Sequence, residues 1–231
     1  LLSRIRHSRP DAQIIALSAT VGNAPEMAEW LNAELVVSDW RPVTLRYGTV
    51  NGLEGKVHRV DGIDDDVVSE VRHLEGKTTR QLQAILSDTI SRGGQLLVFV
   101  SSRSSAQKEA RELSKHCRSL LVDDVHGLDP EIADRWEEVA NSVYQSGGSN
   151  LGKTLSSALR GGVAFHHAGL TGRQRGIIED AFREGALECI VATPTLAQGV
   201  NLPARTVVVR DYRRWSAAAG MSMPLPVMEV M

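Results

Sequence analysis

The chain has 231 residues, 42% of them apolar and 23% charged, a globular composition that excludes a disordered or collagen-like chain. No apolar run approaches the roughly 20 residues of a membrane-spanning helix, and Cys117 and Cys189 belong to no Cys-x-x-Cys or Cys/His group, which excludes disulfide scaffolds and zinc knuckles. The net charge of −2 argues against wholesale nucleic-acid coating, yet from Arg160 onward eight arginines and no lysine face six acidic residues, a balance compatible with phosphate recognition. A soluble, cytoplasmic protein is the expectation.

In chain order, polar Ser8-Arg9-Pro10-Asp11 leads into an apolar run at residues 12–17 that reads as a strand ending in Ser18-Ala19-Thr20. A helix is predicted over residues 25–31, with Asn23 as its cap. Residues 42–50 and 55–60 read as two strands around Asn51-Gly52, a hairpin signal. Asp64-Asp65-Asp66 reads as a solvated loop. Leu82, Ile85, Leu86 and Ile90 recur at helical spacing, and Gly93-Gly94 ends that helix. Residues 95–100 then form a buried strand running into Ser101-Ser102-Arg103, with a helix to about residue 116. Further strands are predicted over 162–165, 188–193 and 206–210, with a helix over 171–184. Continuous apolar strands alternating with amphipathic helices predict an α/β fold around a parallel sheet. Ligands of such sheets bind beyond the strand C-termini. Ser18-Ala19-Thr20, Ser101-Ser102-Arg103, His166-His167 and Thr193-Pro194-Thr195 all fall there.

Residues 147–154, Gly-Gly-Ser-Asn-Leu-Gly-Lys-Thr, match the phosphate-loop pattern G-x-x-x-x-G-K-[ST] letter for letter. That loop works only where a strand delivers it and a helix starts from it, so that N–H groups encircle phosphate oxygens. Here Ile132, Trp136, Val139, Ala140 and Val143 precede it at helical spacing, and Leu151, Leu155, Ala158 and Leu159 continue as a second helix. The pattern therefore reads as a helix–helix turn capped by Ser149 or Asn150. Residues 1–6 resemble the last turns of a helix and residues 223–231 stop within an apolar stretch, so an internal piece of a longer protein is expected.

Each strand-end motif is weak alone; their order and spacing are not. Gly162 through Leu170, with His166-His167-Ala168-Gly169-Leu170, and the run from Ala192 to Ala204, with Thr193, Gly199 and Asn201, are long and specific. On these residues the sequence resembles the Ski-type branch of the superfamily two helicases, most closely its archaeal DNA-repair members. Ser18-Ala19-Thr20 is similar to motif III, residues 99–103 to motif IV, and residues 192–204 to motif V. Trp40-Arg41-Pro42-Val43 is similar to the junction after the first domain.

The resemblance implies a RecA-like parallel sheet with helices on both faces. Residues 1–45 would end the first RecA-like domain, 46–78 would form a connecting hairpin and linker, and 79–231 would be the second RecA-like domain, with a β-hairpin over about 207–230. It implies an ATP-dependent DNA helicase moving 3′ to 5′ on single-stranded DNA and acting on forked DNA in repair or fork restart, as a monomer. An RNA helicase of the same branch and a non-catalytic nucleic-acid-binding module are the alternatives. Gly199 and Asn201 would face ATP, while the Mg²⁺ ligands and the arginine finger would lie outside this sequence, leaving the segment alone inactive. Ser18, Ala19 and Thr20 would couple nucleotide state to the domain interface. Ser101, Arg103, His167, Gly169 and Thr193 would line the strand path. Arg213 and Trp215 would sit on the hairpin, holding phosphates and stacking a base.

Overall fold

Strands that are apolar at every position, rather than at alternate ones, need cover on both faces of their sheet, and the chain supplies it with helices. The computed structural model describes residues 7–9, 11–17, 23–38, 46–51, 53–58, 68–74, 80–123, 127–147, 149–196, 202–211, 213–216 and 221–224. The chain divides into two units, Leu1–Leu45 and Arg46–Val230.

In the first unit, α1 (Ala24–Leu31) starts after Asn23, has a proline in its first turn, and stops at Asn32 in the left-handed conformation. Leu31 is its buried residue. The strand expected over residues 12–17 is not formed. No strand pairs with it among the described residues, and Ile15 and Leu17 are exposed. An apolar run becomes a strand only where a neighbour takes its N–H and C=O groups.

The second unit opens with an antiparallel sheet of β1 (Tyr47–Asn51), β2 (Glu54–His58) and β3 (Val68–His73). The first two form the expected hairpin; β3 was not legible, because its two valines stand among charged residues. There follow α2 (Gln81–Ser91), β4 (Leu96–Phe99), α3 (Arg103–Leu121), β5 (Val122–Asp123), β6 (Gly127–Leu128), α4 (Pro130–Gln145), α5 (Asn150–Leu159), β7 (Val163–His166), α6 (Gly172–Arg183), β8 (Cys189–Ala192), β9 (Thr206–Val209), β10 (Arg213–Ser216) and β11 (Met221–Pro224).

The central sheet is parallel, in the order β7-β8-β4-β9. Every residue of β7 and β8 is buried, and since successive side chains point to opposite faces, both faces there are covered. The edge strand β9 is only partly buried, with Val207 exposed. Trp136, Phe165, Phe182 and Leu86 are the bulkiest of the fully buried side chains. Both cysteines are core residues whose thiols burial pushes up, away from the reactive thiolate.

Residues 206–209 form the sheet strand expected there, paired in parallel with β4, and the hairpin expected over about 207–230 starts only after it, as β10 against β11, with Arg213 opposite Pro224 and Ser216 opposite Met221. A β-branched run fits a sheet edge as well as a hairpin arm, so pattern alone does not separate them.

Candidate nucleic-acid interface at the strand ends

Parallel strands end on one side, so the segments leaving β4, β7, β8 and β9 converge. Beyond β4, Ser101 is half-buried and its N–H and hydroxyl both donate to Asp211 Oδ2, each at 3.0 Å. Ser102 caps α3, its hydroxyl accepting the Ser105 N–H at 3.1 Å, and Arg103 follows, exposed. Ser101 was expected to bind strand phosphate; its hydroxyl hydrogen is already committed to a carboxylate of the same unit.

Beyond β7, both histidines are buried rather than displayed. His167 is 1% exposed. Its Nδ1 accepts the Gly169 N–H at 3.1 Å, its Nε2 lies 3.2 Å from the Gln107 amide, and its ring stacks on Phe165 with centroids 5.3 Å apart. Burial first, then the Arg103 guanidinium and then His166, lower its pKa. A neutral imidazole with Nδ1 as acceptor is what the Gly169 contact requires. His167 therefore shapes the loop from within and leaves Ala168 and Gly169 exposed. A Cβ at Gly169 would lie 3.0 Å from the His167 ring and 3.8 Å from Arg103 Nη1, so the structure brings Arg103 and Gly169 together.

His166 pairs through Nε2 with Glu179 Oε1 at 2.9 Å, while its buried Nδ1 has no hydrogen-bond partner. Burial lowers its pKa against the opposing pull of Glu179. Beyond β8, Thr193 is 7% exposed; its N–H donates to the His166 carbonyl at 3.1 Å and its own carbonyl accepts the Leu196 N–H at 3.0 Å. Thr193 thus locks the β7 and β8 exits to each other.

Ser18, Ala19, Thr20, Gly199 and Asn201 lie outside the described residues. For Arg213 and Trp215 only the backbone, in β10, is described. Gln107, Glu179 and Asp211 went unnoticed in the sequence. Nothing in a single polar letter marks it as the partner of a motif residue tens of positions away.

The phosphate-loop lookalike is not a strand–loop–helix. It joins α4 to α5, its Ser149 hydroxyl accepts the Gly152 N–H at 3.1 Å, and a Cβ on Gly152 would come within 2.6 Å of the Gly147 carbonyl oxygen. The Gln174 side chain reaches that same carbonyl at 3.5 Å. Among the described residues no group of three or more His, Cys, Asp or Glu could hold a metal ion, and no helix is long and apolar enough to cross a membrane.

Against known families, residues 142–219 match the helicase conserved C-terminal domain. The ATP-dependent DNA helicase Hel308 of Methanocella arvoryzae is 38% identical over 99% of this chain and 28% of its own length. That of Caldivirga maquilingensis is 41% identical over 99% of the chain and 28% of its length. Along nearly its whole length the chain is similar to these Hel308 helicases. The Hel308 of Pyrococcus horikoshii is 41% identical over 95% of the chain. The chain spans under a third of these relatives, 28%, 28% and 27% of their lengths. The α/β parallel sheet is the architecture expected of such a helicase domain, and the motif-based resemblance and the comparisons point to the same branch.

Proposed function

We propose that the chain is the second RecA-like domain, from about residue 79, together with a connecting segment at 46–78 and the end of the first RecA-like domain at 1–45, of an ATP-dependent DNA helicase. The observation that carries this reading is homology over nearly the entire chain to proteins named ATP-dependent DNA helicases. Those names also favour DNA over RNA. The parent protein moves 3′ to 5′ on one strand of forked DNA, acting as a cytoplasmic monomer in repair or fork restart.

ATP with Mg²⁺ supplies the hydrolysis that closes and reopens the two domains. Gly199 and Asn201 would face the nucleotide. Ser18, Ala19 and Thr20 would pass its state to the interface. The Mg²⁺ ligands would come from elsewhere in the parent, as the family resemblance implies. Arg103, the Gly169 loop and Thr193 lie at the C-terminal edge of the sheet, where a strand's phosphates can be held without reading bases. Ser101 lies at the same edge, bonded to Asp211.

The β10–β11 hairpin is the wedge that parts the duplex, with Trp215 stacking a base and Arg213 on a phosphate. Deleting residues 215–220 in the full-length protein is expected to abolish unwinding of a forked duplex while ATPase stimulated by single strands survives. Unwinding at the parent rate would reduce the hairpin to an edge loop. Loss of strand-stimulated ATPase in the undeleted protein would remove the helicase reading itself.

A further inference from the structure

The last rung of the sheet edge is the Arg210 N–H donating to the Phe99 carbonyl at 3.0 Å. Past it the two strands part. β4 continues into Ser101 and the start of α3, and β9 continues into Asp211 and, two residues later, the first residue of the hairpin, Arg213. Just where they separate, the Asp211 carboxylate accepts both the N–H and the hydroxyl of Ser101 at 3.0 Å. Arg210 then bridges Glu109 on α3, at 3.1 Å, and the other Asp211 oxygen, at 3.4 Å. Asp211 is largely buried, with 21% of its side chain exposed, and Glu109 has 19% exposed. Charge-assisted bonds of this kind are stronger than neutral ones and fix geometry. Three contacts, two from Ser101 to Asp211 and one from Arg210 to Glu109, thus hold the root of the hairpin onto the loop and helix that form one wall of the strand-end edge, and the Arg210–Asp211 pair ties them together.

We infer that Asp211 is a positioning residue for strand separation: with Arg210 it clamps the β10–β11 hairpin to the Ser101 loop and α3, so that the wedge and the strand-holding edge act as one rigid part. The inference rests on the helicase reading and on the hairpin as wedge. A wedge works only if the load at its tip is carried by the element that grips the strand. Without the clamp the segment leading into the hairpin loses its side-chain ties to the Ser101 loop and α3, and the hairpin yields when it meets the duplex.

The test compares Asp211→Ala, Asp211→Asn and the 215–220 deletion in the full-length protein, measuring fork unwinding, strand-stimulated ATPase, single-strand affinity and thermal unfolding. Asp211→Ala is expected to slow unwinding roughly tenfold or more, since small misplacements of a working group cost that much. ATPase and strand affinity should stay within about twofold, which separates a positioning role from simple loss of transition-state binding. Asp211→Asn keeps an acceptor for Ser101 but loses the charge facing Arg210, and should fall between. If Asp211→Ala unwinds at the parent rate while the deletion does not unwind, the clamp is wrong and the wedge stands. If ATPase and unwinding fall together in both variants, Asp211 is merely structural. If the deletion itself still unwinds, the wedge reading fails and takes the clamp with it.

Discussion

The glycine turn between α4 and α5 and the loops at the sheet's C-terminal edge make an instructive pair. The first carries a perfect phosphate-loop spelling, yet its Gly152 N–H goes to the Ser149 hydroxyl and its Gly147 carbonyl takes the Ser149 N–H and the Gln174 side chain. The second carries no complete motif at any one loop, yet Arg103, Gly169 and Thr193 are gathered by parallel strands into one neighbourhood. A phosphate site needs donors aimed at a common point, and a strand-to-helix transition provides that where a helix-to-helix turn does not. Context, not spelling, separates the two.

That contrast can be broken most forcefully at Trp136. Its ring is buried on α4 and touches the position a Cβ would take on Gly162, a residue held at φ +72°, where only glycine fits both the backbone and the ring. Trp136→Ala should destabilise the protein by about 3–5 kcal/mol in chemical denaturation. Strand affinity of the folded fraction should be unchanged. A selective loss of nucleotide or strand binding without loss of stability would place chemistry in this helical pair after all.

The edge loops should show the reverse behaviour. Arg103 is exposed, so Arg103→Ala is expected to leave thermal unfolding unmoved. It should weaken single-strand binding and reduce the slope of log affinity against log salt by roughly 0.7, the loss of one phosphate contact. An unchanged slope would make Arg103 an ordinary surface charge.

A smaller effect is expected with pH. His116, His166 and His167 are all held below the ordinary histidine value of 6.5, chiefly by burial. Their folded pKa values lie below the unfolded one, so above pH 6.5 the stability is fully present. As pH falls from 6.5 through the depressed folded values, the unfolded chain takes up protons the folded chain does not, and stability drops. His167→Gln should flatten part of that fall in denaturation curves recorded across pH. An unaltered profile would mean the ring is not the neutral organiser of the Gly169 loop.

The smallest effect belongs to Lys153, the residue that completes the phosphate-loop spelling. It is exposed on α5. Lys153→Ala should leave nucleotide binding and ATP turnover of the full-length protein unchanged, and a loss of either would reverse the contrast drawn here.

By itself the sequence determined the periodicities. Continuous aliphatic runs at β4, β7 and β8 read as strands covered on both faces, and the helical spacing around residues 147–154 reads as a helix–helix turn rather than a nucleotide loop. These are local consequences of side-chain pattern, and they also carried the family resemblance. Tertiary structure decided what depends on partners far along the chain. Among the described residues, 12–17 have no paired strand and are irregular, the hairpin starts only at residue 213, and the two histidines turn inward. Ser101 meets Asp211 across 110 positions, and Gln107 meets His167 across 60. A hydrogen bond is made by whichever groups the packed backbone brings within about 3 Å, and sequence pattern carries no record of that distance.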